Sequence, residues 1–337
     1  MSEIIISKQA YFHNLTQIAN KVGSKDKIFA VLKDNAYGHG AKIMAKMASE
    51  FGIKTAVVKS QNEAEEISEF FSKIIILSHI PNGDESDKFI YAINSLQAIN
   101  LIKPKSIVHL AIDTLMHRNG LNLDEINEAF EIAQKREISI SGAYTHFRSS
   151  DEMSGDFFVQ KQNFSKAKAQ IISLCEKYQM PKPIFHSHNS AAVERDSEFD
   201  EGIRVGIAQF GYAQFDESLN LKPVLSLWAN KISDRILKKG QSVGYGGVFS
   251  APKDMKIASY DLGYGDGLLR YNGIGELKLS DGTKMLGKMS MDSFSCEDRG
   301  DKICVFDDAR VFAEFFGTIS YDILVKLKPN IKRTLKN

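Results

Sequence analysis

Three things are scarce in this 337-residue chain, and each scarcity excludes something. Cysteine occurs only as Cys175, Cys296 and Cys304, with no CxxC spacing. An odd count in this arrangement fits a reducing compartment better than a disulfide framework. Net charge is almost nil, with 43 Lys+Arg against 42 Asp+Glu for a formal value of +1. Nucleic acid is therefore a poor main partner, because neutralising phosphates needs a clustered basic face. The basic stretch "KLKPNIKRTLK" near the C-terminus reads as a solvated end. Long apolar runs are missing, and none approaches a membrane span. The opening "MSEIIISKQA" has neither the basic region nor the apolar core of a signal peptide. A cytoplasmic protein without a membrane partner is expected.

What is present is a globular composition, 43% hydrophobic and 25% charged, in a chain long enough for two domains. Up to about residue 210, short aliphatic runs alternate with longer amphipathic ones. The strand candidates are "KIFAVLK" (27–33), "TAVVKS" (55–60), "KIIILSH" (73–79), "SIVHLAID" (106–113), "ISGAYTHF" (140–147), "PIFHSHN" (183–189) and "IRVGIAQF" (203–210). Continuous apolar runs between polar helices read as parallel strands buried on both faces. Repeated βα units of this size suggest a (β/α)8 barrel or an open doubly wound sheet, which periodicity does not separate. After "LKPVLSLWANKISDR" (221–235) glycines crowd in and the alternation becomes strand-like with short turns. A boundary near residue 220 is expected, giving domains 1–220 and 221–337, the second smaller and mostly β. The run "TISYDILVKL" (318–327) predicts a late helix.

Polar residues collect where these strand candidates end. Lys33 closes the first, Arg118 follows "HLAID", His146 ends "GAYT", "SHNS" follows "PIF", and Arg204 lies in "GIRVGI". In a barrel these positions face one mouth, where such enzymes place their chemistry. The residue types suit a carbonyl cofactor. A lysine amine in an apolar setting is a plausible Schiff-base former. "NSAA" (189–192) opens a helix candidate with Ser190 beside free N–H groups, and "VGI" (205–207) offers amides next to a glycine. An arginine such as Arg204 suits a pyridine nitrogen. A metal centre on "HSH" (186–188) is disfavoured, and His186 reads as a structural residue.

The ordered motifs "AVLKDNAYGHG", "IDTLMHRNG", "YTHFRSSDE", "HNSAA", "IRVGI", "VGYGGVF", "LGYGDGLLR" and "GKMSMD" resemble those of the alanine racemases, fold-type III pyridoxal-phosphate enzymes. The resemblance implies an N-terminal (β/α)8 TIM-like barrel, a C-terminal mostly-β domain, and a homodimer with shared active sites. It implies pyridoxal 5'-phosphate as cofactor and an amino acid as substrate. It also implies two-base proton transfer at Cα that interconverts L- and D-alanine for peptidoglycan synthesis. Lys33 would carry the cofactor and act as one base. Tyr245, from the other subunit, would be the second. Tyr37, Ser190, Gly206 and Ile207 would bind phosphate, Arg204 would face the ring nitrogen, and His146 would bridge Tyr245 and Arg204. Arg118 and Met291 would hold the substrate carboxylate, with Tyr264 and Asp292 lining the site or its entrance.

The chain departs from the family pattern in three places. Ala111 stands where relatives often carry a lysine, so Arg118 needs another support. Leu115 replaces a usual glycine, and a C-terminal phosphate-binding tyrosine has no secure counterpart, Tyr321 being followed by Pro329. A serine or broad-specificity racemase is the near alternative, because a pocket discriminates one small group modestly. A non-catalytic pyridoxal-phosphate carrier is the distant one, and needs neither Tyr245 nor the β domain. A decarboxylase of related fold needs no "VGYG" tyrosine as second base.

Overall fold

A computed structural model describes residues 1–337, and no helix in it is long and apolar enough to cross a membrane. The chain forms two compact units. One comprises Phe12–Ala36 and Ala41–Lys222; the other comprises Met1–Tyr11, Tyr37–Gly40 and Pro223–Asn337.

The first unit is an eight-stranded parallel sheet. Its spatial order is Ile184–His186, Ser139–Tyr144, Ile107–Ala111, Ile90–Ile93, Lys73–Ile76, Thr55–Val58, Ile28–Val31 and Ile203–Val205. Strands Ile28–Val31, Thr55–Val58 and Ile90–Ile93 are buried at every position, as strands covered on both faces should be. No ladder joins the two ends of this order, yet the amide of Gly202 donates to the Phe185 carbonyl (3.0 Å) and that of Arg204 to the His188 carbonyl (2.9 Å). These bonds bring the sheet almost to a closed barrel.

Seven of the eight strands correspond to runs legible in the sequence; Ile90–Ile93 is not among them. Its signal is weak because no helix precedes it. The connection from residue 77 to 89 is irregular and organised by Glu85, which is buried. Its carboxylate accepts from the amides of Asn82 (2.9 Å) and Lys103 (2.9 Å) and contacts His79 (2.7 Å).

The second unit is built on the 13-residue strand Leu225–Leu237. Along it pair Met255–Tyr260, Lys302–Phe306 and Glu3–Ser7, all antiparallel. Glu3–Ser7 in turn pairs in parallel with Lys332–Lys336. One reading is corrected here. The first eleven residues group with the β unit rather than the barrel, because Ile4 and Ile6, fully buried, lie in its sheet. The basic C-terminal stretch keeps its lysines exposed, as a solvated end should, but its last part is the strand Lys332–Lys336, and Arg333 within it donates to the Gly38 carbonyl (3.0 and 2.8 Å). That bond helps explain why Tyr37–Gly40 group with the β unit. The late helix forms over Ser320–Val325.

Inside the barrel two histidines, His109 and His186, are almost wholly buried and bonded to each other at 2.8 Å. Burial holds the His109 pKa down to about 3 and that of His186 well below its ordinary value. An unfolded histidine titrates near about 6.5, so below that pH the unfolded chain binds protons that the folded barrel refuses. Stability must then fall as pH falls. Urea unfolding should show lower stability at pH 5 than at pH 7 by at least about 2 kcal/mol, the contribution of one such histidine. The depressed carboxylates, such as Asp200, lose their contribution only at lower pH, outside this window. Equal stability at the two values would contradict the burial of neutral histidines.

Candidate active site

The strand Ile28–Val31 delivers Lys33 to the C-terminal end of the barrel, and the backbone immediately after it is unusual. Asp34, Asn35, Ala36 and Tyr37 all have φ between 50° and 55°, a left-handed turn made without glycine. Such a conformation costs an L-residue roughly 1–2 kcal/mol, least for Asp and Asn, which supply two of the four positions. The turn is tied in place on the barrel side. The Asp34 amide donates to Glu63 (2.7 Å), Lys59 bonds the Asp34 carboxylate (3.0 Å), and the Asn35 side chain accepts from the Ala41 amide (2.8 Å). The sequence places Tyr37 where an ordinary helix could begin; the turn winds the other way.

Lys33 opens onto a cavity of about 420 Å³ lined by barrel residues, among them Arg118, Tyr144, His146, Arg204, Asn94 and Asp113. Three cations face one carboxylate. Neither Lys33 nor Arg118 has an ion pair or hydrogen bond. Asp113 is engaged by the amides of Leu115 (3.0 Å) and His117 (3.1 Å), which outweigh the upward push of burial and keep its pKa low. A small space with surplus positive charge and two unengaged cations suits an anionic ligand carrying a carbonyl or carboxylate. Ala111 lines the same cavity.

Arg204 is 5% exposed and has no carboxylate partner. It donates to Nδ1 of His186 (2.9 Å), to the carbonyl of Thr145 (2.6 Å) and to the carbonyls of Ser187 and His186. Its guanidinium also lies 4.8 Å from the centre of the Tyr144 ring. Burial lowers its pKa to about 10, which still leaves it charged at neutrality.

Where the resemblance implied His146 as the neighbour of Arg204, the structure gives that bond to His186. His146 shares the cavity, but burial first, then the charges of Arg204, Arg118 and Lys33, push its pKa to about 3. At neutral pH it is an uncharged imidazole and contributes no positive charge to its surroundings. The two histidines of "HSH" divide because the strand Ile184–His186 ends between them: His186 points into the barrel, and His188, beyond the strand, turns to Asp196 (3.1 Å) and Ser187 (3.1 Å).

Ser190, Gly206 and Ile207 come together. The Ser190 hydroxyl accepts from the amides of Gly206 (3.1 Å) and Ala208 (3.2 Å), forming a compact group of donors at the start of Ser190–Arg195. Sequence reasoning misses Ala208, since an alanine carries no chemical signal and only its amide takes part.

The remaining candidates lie in the β unit. Tyr37 packs against Tyr321, ring centres 5.7 Å apart. Tyr245 sits on the turn Tyr245–Gly247, is 63% exposed, and shares a cavity of about 210 Å³ with Lys288 and Ser290. Gly244, Gly246 and Gly247 provide the positive φ values at that turn, 77°, 69° and 56°. Tyr264 lies beside Met291, whose carbonyl accepts from the Gly265 amide (2.7 Å), and both Met291 and Asp292 are exposed.

Comparison with known proteins agrees along the whole chain. A family model described as "Alanine racemase, N-terminal domain" matches residues 6–214, and "Alanine racemase, C-terminal domain" matches residues 224–335. An alanine racemase of Campylobacter curvus is 66% identical over 334 residues, covering 99% of both chains. One of Nitratiruptor sp. is 47% identical over 337 residues, covering 99% of both. Among solved structures, the alanine racemase of Clostridium difficile 630 superposes with a TM-score of 0.89 at 23% identity, covering 99% of this chain and 95% of that one. That of Bacillus anthracis with bound L-Ala-P gives 0.87 at 25%, covering 100% and 95%. Two family models that together run from residue 6 to residue 335, and a full-length relative two-thirds identical, mean that this chain belongs to the alanine racemase family.

Proposed function

We propose that the chain interconverts L- and D-alanine with pyridoxal 5'-phosphate held at the barrel mouth. One observation carries this reading: an amine without a counter-ion, Lys33, in a cavity that also holds Arg118 and Arg204. When bound, the cofactor supplies the electron sink that makes the Cα proton of an attached amino acid removable.

The chain's own residues do the rest. Ser190, with the amides of Gly206, Ile207 and Ala208, and Tyr37 would bind the phosphate. Arg204 would donate to the ring nitrogen and keep its own proton, since even after burial its pKa stays near 10. Arg118, left without an ion pair, would take the substrate carboxylate together with Met291. Tyr264 and Asp292 would stand at the entrance. Inverting Cα requires a proton removed from one face and returned to the other, so two acid–base groups must flank that carbon. Lys33 is one, and Tyr245 of the partner subunit is the other in a homodimer. D-Alanine so formed would supply peptidoglycan synthesis in the cytoplasm.

Borohydride reduction of the cofactor-loaded protein, followed by peptide mapping, should leave the pyridoxyl group on Lys33. Its appearance on another lysine would sink this reading. The cofactor-loaded protein without reduction, given a panel of L-amino acids and chiral product analysis, should racemise alanine fastest; faster turnover of serine would reassign the substrate.

Replacing Tyr245 by Phe should slow Cα hydrogen exchange of L-alanine in heavy water about 100-fold or more, the usual worth of a positioned acid–base group. Exchange of D-alanine should fall far less. Equal losses for the two enantiomers would leave Tyr245 a structural role only.

Mixing dissociated Lys33→Ala and Tyr245→Phe subunits one to one tests the shared site. Half the reassembled dimers are hybrids, each with one intact site of two, so about a quarter of native activity should return. Isolated hybrids without activity would refute a site completed by a second copy.

A further inference from the structure

The buried pair His109 and His186 has no part in the mechanism so far, yet it connects Arg204 to the far side of the barrel. Arg204 lines the mouth cavity. His109 lines a second cavity, of about 660 Å³, bordered by Thr55, Lys73, Ile90, Ile107, Ser139 and Ile184. Each of those six is the first residue of its strand, so this cavity lies at the opposite end of the barrel from Lys33. Between the two run only two contacts, Arg204 to His186 Nδ1 at 2.9 Å and His186 Nε2 to His109 Nδ1 at 2.8 Å.

The protons on this chain are determined by its first member. A guanidinium has donors and no acceptor, so His186 Nδ1 must be the unprotonated nitrogen. A neutral His186 then carries its proton on Nε2 and donates it to His109 Nδ1. His109, also neutral, carries its proton on Nε2 and presents it toward the second cavity, where water can accept it. Both imidazoles thus turn a lone pair toward the buried cation, which compensates Arg204 for the carboxylate it lacks.

The surroundings leave the rings little freedom. The Tyr144 ring stacks on His186 (5.0 Å, 13°), and Phe29 meets it edge to face (5.3 Å). A Cβ on Gly142 would stand 2.5 Å from three atoms of the His109 ring, so glycine at that strand position makes the room the ring occupies.

We propose that His109 is a positioning residue for the reaction. By accepting the His186 proton it locks that ring's tautomer and tilt, and through His186 it aims Arg204 into the mouth cavity. The inference rests on the reading in which Arg204 faces the cofactor ring.

Two measurements test it on the cofactor-loaded enzyme. Nitrogen NMR of histidine-labelled protein should find His109 and His186 neutral and protonated on Nε2 from pH 6 to pH 8. A His186 proton on Nδ1 would overturn the proposal, whatever the substrate proves to be. The second measurement compares His109→Leu, which removes the acceptor, with His109→Asn, whose Oδ1 stands close to the place of Nδ1. The leucine variant should lose about tenfold or more in kcat in both directions, the size seen when the partner behind a functional group is removed. Its KM for alanine should hold and the absorption band of its bound cofactor should move. The asparagine variant should keep kcat within about threefold of native and keep the native spectrum. A leucine variant with native kcat and spectrum would overturn the proposal, as would an asparagine variant as impaired as leucine. Should the leucine variant fail to fold, the asparagine variant and the NMR still decide. An enzyme whose native form does not racemise alanine would defeat the functional reading alone, because the tautomer result stands without it.

Discussion

A guanidinium buried inside a barrel without a carboxylate is the constraint on which much of this structure depends. Removing such a charge from water is costly unless hydrogen bonds replace the hydration. Arg204 finds its partners on three neighbouring segments: the Thr145 carbonyl just past Ser139–Tyr144, His186 at the end of its strand, and the Ser187 carbonyl beyond it. Its amide bonds the His188 carbonyl across the seam where no ladder forms. The contacts that make the buried charge tolerable therefore also draw together the two open ends of the sheet, Ile184–His186 and Ile203–Val205. Carbonyl groups and a neutral imidazole take up the donors of the two terminal nitrogens without neutralising the charge, and the Nε–H has no partner.

The opposite solution appears at Lys33, whose amine is left without a counter-ion. Strain accompanies it, since four successive non-glycine residues in left-handed conformation persist only where surroundings hold them. Glu63, Lys59 and Asp34 provide that hold through charged hydrogen bonds outside the cavity. An unpaired amine thus sits beside a backbone that is firmly held.

Much of this is legible in one dimension. Buried strands announce themselves as unbroken β-branched runs, and a lysine ending one of them is conspicuous because burial usually excludes it. The motifs around Lys33, Arg118, His146, Ser190 and Arg204 follow strand ends, and the parallel fold gathers Lys33, Arg118, His146 and Arg204 around one cavity. Glycine spacing likewise marks the change of architecture after residue 220. These signals survive in a linear string because they depend on local periodicity and on residue type at a strand end.

Other features were decided only in three dimensions. Ile90–Ile93 has no helix before it to complete a βα unit, and a buried glutamate organises the connection instead. The first eleven residues and the basic C-terminal stretch are unremarkable alone; they become neighbours because strand pairing is long-range, Glu3 lying opposite both Trp228 and Lys332. The left-handed turn after Lys33 is hidden because its residues have no glycine to signal it. Most telling is the choice of His186 over His146 as the partner of Arg204. Sequence by itself determined that histidines and an arginine would stand near the barrel strand ends. Which ring nitrogen meets the guanidinium depends on side-chain direction, a matter of ångströms set by how the strands twist and pack.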